Sequence, residues 1–131
     1  MSADDLTRRK CVPCEGGVPK LTTERVRDLL PQVPGWELTR DGRRLARHWR
    51  VADFQTGLDF FARVGRLAED EGHHPDLHLT GYRDVTIELW THAAGGLTEN
   101  DFILAAKING LGQPRLKGRS RASRTGTEDR V

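Results

Sequence analysis

The stretch from Asp53 to Pro75 constrains this chain more than any other. Asp53 stands where a helix N-cap carboxylate would, and Phe54, Leu58, Phe61, Ala62, Leu67 and Ala68 recur at helical spacing up to about Asp70. The helix must stop before His74-Pro75, because a residue that precedes proline is held out of the helical region. An amphipathic helix of this length needs a surface on which to bury its apolar side, and both flanks supply one. Upstream, Trp36-Glu37-Leu38-Thr39 alternates, Asp41-Gly42 marks a hairpin turn, and Leu45 to Val51 runs back as the partner strand. Downstream, Leu77 and Leu79 alternate with Asp76, His78 and Thr80. After a turn over residues 81–84, Val85, Ile87 and Leu89 alternate with Thr86, Glu88 and Trp90.

Two further helices frame this arrangement. Thr22 or Thr23 caps one that runs through Leu30, with Val26, Leu29 and Leu30 as its apolar stripe and Pro31 and Pro34 as its stop. Thr98 opens the other, with Asp101 in the capping-box position ahead of Phe102, Ile103, Ala105, Ala106 and Ile108, and Gly110 or Gly112 ends it. The order helix, two strands, helix, two strands, helix predicts an α+β fold of two layers: a four-stranded antiparallel sheet with three helices on one face. One domain is expected over residues 21–111. Residues 1–20, with Pro13, Gly16, Gly17 and Pro19, read as an irregular N-terminal segment. Residues 112–131, with six basic and two acidic side chains and few apolar ones, read as a basic disordered tail.

Composition narrows the function classes. Twenty-one basic residues against 19 acidic ones give a net charge of +2, which provides no whole-molecule field for nucleic acid. No apolar run approaches the length of a membrane span or signal segment, so a cytoplasmic location is expected. Cys11 and Cys14 form half of a zinc-ligand set with no second cysteine pair to complete it, and they read as a reduced pair of minor structural weight. The Arg-rich run from Arg115 to Arg124 reads as a solubilising end in preference to a contact for an acidic partner surface or RNA.

Four of the five histidines fall between residues 73 and 92. Imidazole exchanges protons near neutral pH, so such crowding at a helix-to-strand junction invites an acid–base reading. Each histidine also has a plainer explanation. His73 and His74 suit the negative end of a helix. His78 alternates with Leu77 and Leu79, as a surface residue would, and His48 in the hairpin shows no partner. Adjacent histidines diverge and lack a helical His-x-x-x-His spacing, which argues against a metal centre. Spacing alone leaves the catalytic and structural readings both open.

Glu69-x-x-x-His73-His74-Pro75, Tyr82 in the following turn, Thr91-His92, and Gly96-Leu97-x-x-x-Asp101 together resemble the signature of the pterin-4a-carbinolamine dehydratases over residues 21–110. The resemblance implies a two-layer α+β fold and a dehydration that uses no metal or organic cofactor. It implies a 4a-hydroxytetrahydropterin as substrate, left behind by an aromatic amino acid hydroxylase, and quinonoid dihydropterin and water as products. His73 and His92 would be the acid–base groups at the C4a hydroxyl, and His74 would hold the pterin ring. Glu69 would orient an imidazole. Asp101 would do the same for His92 or serve only as a helix N-terminal carboxylate. Leu77 stands where animal enzymes of the family have tryptophan, and Asn100 where they have arginine, which implies altered substrate edges. The family also implies a homodimer or homotetramer. It carries a second reading as well: dehydratase-like relatives encoded beside α-carboxysome genes act as RuBisCO assembly factors without catalysis. Retention of the histidine set favours the enzyme.

Overall fold

The computed structural model describes residues 6–12 and 18–118. Helix α1 spans Thr23–Leu29 and continues as a 3-10 turn over Leu30–Gln32. Strands β1 (Glu37–Thr39) and β2 (Arg44–Arg50) form a hairpin, and α2 spans Phe54–Glu71. Strands β3 (Asp76–Thr80) and β4 (Asp84–Leu89) follow, then a 3-10 turn at His92–Ala94, and α3 over Glu99–Asn109. The sheet is antiparallel throughout in the order β1-β2-β4-β3. This is the predicted three-helix, four-strand α+β architecture. No helix among the described residues is long and apolar enough to cross a membrane.

The expected caps form. Thr22 accepts the backbone N–H of Arg25 at 3.1 Å, Asp53 accepts that of Thr56 at 2.9 Å, and Asp101 accepts that of Thr98 at 2.9 Å. The period-two pattern also holds: Leu45, Trp49, Val85, Ile87 and Leu89 are buried toward the helices. Trp49 stacks edge-on against both Phe60 (5.0 Å) and Trp36 (6.2 Å). The opposite sheet face carries polar pairs, including Arg44 with Glu88 and His48 with Asp84, both at 3.1 Å.

Four expectations need correction. The buried face of α2 is Gly57, Phe60, Val64 and Ala68, whereas Phe54 and Leu58 are exposed and Ala62 faces solvent. Gly57 sets this rotation, since a Cβ there would stand 3.2 Å from Leu79 and 3.4 Å from Val85. The helix comes closest to the sheet where it has no side chain. Strand β3 is less buried than its alternation suggests: Leu79 packs on the core, but Leu77 at the sheet edge is 38% exposed.

The core also extends beyond residues 21–111. Leu6 is fully buried and Cys11 nearly so, both within the central cluster. Leu6→Ala is therefore expected to lower unfolding stability by about 2 to 3 kcal/mol in chemical denaturation, toward the low end for buried leucines because a terminal segment relaxes around the cavity. At the other end, residues 113–117 run along the end of β2. Lys117 donates its backbone N–H to the Arg50 carbonyl, Ala52 donates to that of Arg115, and Leu116 bridges to Val51. Gln113 accepts the indole N–H of Trp49 at 2.9 Å. The expected tail is thus part of the fold up to residue 118; residues 119–131, with most of the Arg-rich run, lie outside the described residues.

Candidate active site

One end of the sheet gathers the histidines. Leu45 pairs with Leu89 and Asp76 pairs with Glu88, so the neighbouring residues Arg44, Trp90 and His74 emerge together at that end. Helix α2 stops there at Gly72, which adopts φ 68° and returns its N–H to the Ala68 carbonyl at 2.9 Å. This left-handed cap turns His73 back beneath the sheet end, where it is buried.

His73 is held by Asp101. Its Nε2 lies 2.6 Å from Asp101 Oδ1. Asp101 Oδ2 accepts the Thr91 hydroxyl and the Thr98 backbone N–H, both at 2.9 Å. Thr98 Oγ1 lies 2.9 Å from Thr91 Oγ1, so with the Thr91 proton committed to the carboxylate, Thr98 donates in turn. Asp101 is fully buried at the first turn of α3, where three hydrogen-bond donors occupy its two oxygens. The carboxylate thereby fixes both the orientation of the imidazole and a proton on Nε2.

The other two histidines are exposed. His74 Nε2 lies 2.7 Å from Glu69 Oε2, with both side chains largely in solvent, so the pair orients more than it stabilises. His92 heads the 3-10 turn after β4, its ring 3.8 Å from that of Trp90 and tilted by 41°. Trp90 also carries the Arg44 guanidinium 4.4 Å from its centroid, and its own N–H finds no acceptor among the described residues. All three histidines thus border one end of the sheet. One carboxylate pairing differs from the expected one: Asp101 serves His73, not His92, while also accepting the Thr98 N–H at the start of α3; Glu69 orients the His74 imidazole. His78 and His48 pair with Glu88 and Asp84 on the outer sheet face. Tyr82 is remote, in the β3–β4 turn at the opposite end, where its hydroxyl accepts from Arg83 at 2.6 Å.

Sequence reasoning missed the role of Asn100. Its side chain brackets Val12, accepting the Val12 N–H at 3.0 Å and donating to the Val12 carbonyl at 2.8 Å. Beside it, Glu71 accepts the Cys11 N–H at 2.9 Å and pairs with Lys107 at 2.6 Å. Burial pushes the Glu71 carboxyl up, but these donors and the lysine charge together hold it below its ordinary value. An amide at position 100 is what a two-point backbone clamp requires, so the departure from the family pattern has a structural use next to Asp101.

Burial, reinforced by the Glu71 charge, pushes the Cys11 thiol up to about 12. Cys14 lies outside the described residues, and among the described ones no three His, Cys, Asp or Glu side chains are grouped as a metal site would need. A thiol so held carries almost no thiolate at neutral pH. In the folded protein at pH 8, Cys11 is expected to escape iodoacetamide, and to react on unfolding; tandem mass spectrometry of the tryptic peptide 11–20 tells it from Cys14.

The fold and the Asp101–His73 unit, with His74 and His92 alongside, define a small α+β protein that gathers three histidines at one end of its sheet. A family model described as Pterin 4 alpha carbinolamine dehydratase matches residues 19–111, and the chain belongs to that family, which is one of hydro-lyases. It is 58% identical over 113 residues to the mitochondrial pterin-4-alpha-carbinolamine dehydratase 2 of Arabidopsis thaliana, covering 84% of this chain and 60% of that protein's length. It is 47% identical to a putative pterin-4-alpha-carbinolamine dehydratase of Methylococcus capsulatus, covering 85% of this chain and 96% of the relative. A crystal structure from Brucella melitensis, described as a transcriptional coactivator/pterin dehydratase, superposes with a TM-score of 0.66 at 30% identity. That match covers 72% of this chain and 99% of the other.

Proposed function

We propose that this chain dehydrates 4a-hydroxytetrahydropterin to the quinonoid dihydropterin, with His73 and His92 as the acid–base groups and His74 as a contact for the pterin ring. The observation that carries the reading is the buried bond of His73 to Asp101 at the sheet end shared with the other two histidines. The reaction removes water from C4a. One histidine delivers a proton to the departing hydroxyl, a ring N–H gives up its proton to the other, and the electrons left behind form a C=N bond. Each imidazole ends in the protonation state opposite to its starting one, and solvent exchange restores both. Asp101 acts as a positioning residue, holding the His73 ring and its Nε2 proton in place. Glu69 positions His74. No step calls for a metal or an organic cofactor.

The sheet edges at β1 and β3 suit the expected homodimer or homotetramer. A cytoplasmic setting remains part of the proposal, although the Arabidopsis relative is named as mitochondrial. The test is the decay of enzymatically generated 4a-hydroxytetrahydropterin, followed by ultraviolet absorbance with and without the protein. Acceleration supports the enzyme. No acceleration by folded protein refutes it and turns attention to a binding role.

A further inference from the structure

The β1–β2 hairpin carries a group of charges that the proposed chemistry does not use. A cavity of 240 Å³ beside Trp90 is lined by Arg40, Arg43, Arg44, Trp90 and Gly95. Every charged side chain on it is an arginine. Arg44 is already neutralised, 3.1 Å from Glu88 and 4.0 Å from Asp76. Arg40 and Arg43 are exposed and make no ion pair with any described residue; Arg43 Nε donates to the Arg40 carbonyl at 3.2 Å, and Asp41 between them lines the neighbouring groove, which Arg43 borders as well. Two exposed guanidiniums without a carboxylate partner beside one small cavity favour an anion there. The turn also holds Arg40 in the left-handed region at φ 55°, which a non-glycine residue adopts at a cost.

The position of this cavity says what the anion belongs to. Trp90 forms its wall, and the same indole lies 3.8 Å from the ring of His92. A bicyclic substrate seated beside His92 with its C6 edge toward Trp90 would bring its substituent to the hairpin. Resting on the dehydratase reading, we propose that Arg40 and Arg43 form a subsite for an anionic group, phosphate ester or carboxylate, on the side chain at C6 of the pterin. The preferred substrate is then a charged pterin, not one with a neutral polyol side chain.

Equilibrium binding tests this without relying on turnover. Three stable dihydropterins serve as probes: 7,8-dihydroneopterin with a neutral side chain, its triphosphate, and 7,8-dihydrofolate with a carboxylate tail. At low salt, at least one anionic probe is expected to bind about tenfold more tightly than the neutral one, and at about 1 M salt that advantage should fade. The two anionic arms tell phosphate from carboxylate. In an Arg40→Asn, Arg43→Ala double variant the ratio should fall to near one, whereas Arg40→Lys, Arg43→Lys should keep much of it. Asparagine tolerates the left-handed turn, and circular dichroism checks that the variant folds. Equal affinity for all three probes, no binding of any, or an advantage that survives the double substitution would overturn the proposal. Dehydration of a neutral carbinolamine by the wild type is scored separately, so a lost subsite is not mistaken for a lost enzyme.

Discussion

His73→Ala is expected to slow dehydration of 4a-hydroxytetrahydropterin by about a hundred- to ten-thousand-fold, the range set by loss of a positioned general acid or base. His92→Ala is expected to cost a comparable factor, but the two should separate in stability. His73 is buried against Asp101, so its removal strips the carboxylate of a short charge-assisted bond. His92 is exposed and touches Trp90 through its ring. Its alanine variant should therefore unfold within about 0.5 kcal/mol of wild type, as surface substitutions usually do. Loss of rate with unchanged stability at position 92 would identify a chemical role. A variant that keeps the wild-type rate would remove His92 from the acid–base pair and leave His73 to act with another partner.

Asp101→Ala carries the largest expected loss of stability, about 3 to 5 kcal/mol in denaturant unfolding, because it breaks a buried charged network while leaving the other members in place. Thr98 loses the acceptor for its backbone N–H, Thr91 that for its hydroxyl, and His73 that for its Nε2 proton. Asp101→Asn asks a different question. An amide oxygen can still accept from Thr98 and Thr91, so most of the fold should survive. Its NH2 then faces His73 Nε2, which must accept, and the imidazole proton moves to Nδ1. The expected result is a folded protein whose dehydration rate falls by about a hundredfold and whose pH–rate profile changes shape. A merely structural Asp101 would leave that profile where it was.

How far the sequence could be read depended on how local each signal was. The caps at Asp53 and Thr98 and the alternation of Val85, Ile87 and Leu89 are written within a few residues, and the four-strand, three-helix order followed from them. Within the site, the crowding of His73, His74 and His92 was visible, but their partners were not. The His73–Asp101 bond joins residues 28 apart, and nothing in the spacing distinguishes His73 from His92 as the imidazole that Asp101 holds. The rotation of α2 escaped notice because its organising residue, Gly57, counts for nothing in an apolar pattern. Segments 6–12 and 113–117 carry little local signal of their attachment for a related reason. Part of their attachment runs through backbone groups, such as those of Val12 and Lys117, which every residue type carries, and the rest through single apolar side chains, Leu6 and Leu116, too isolated to make a pattern.

The two attached segments differ in where they leave the molecule. Val12 is clasped beside Asp101, next to the histidines. Lys117 is fastened to Arg50, at the far end of β2 from Arg44 and Trp90. Seven residues of strand separate the two ends, about 20 Å at the usual rise. For anyone anchoring this protein to a bead, a fluorophore or a second enzyme, the choice of terminus is therefore not neutral. A tether joined after Gly118 starts at the end of β2 away from the three histidines, whereas one joined upstream of Leu6 pulls on the segment whose Val12 is clasped by Asn100, beside Asp101.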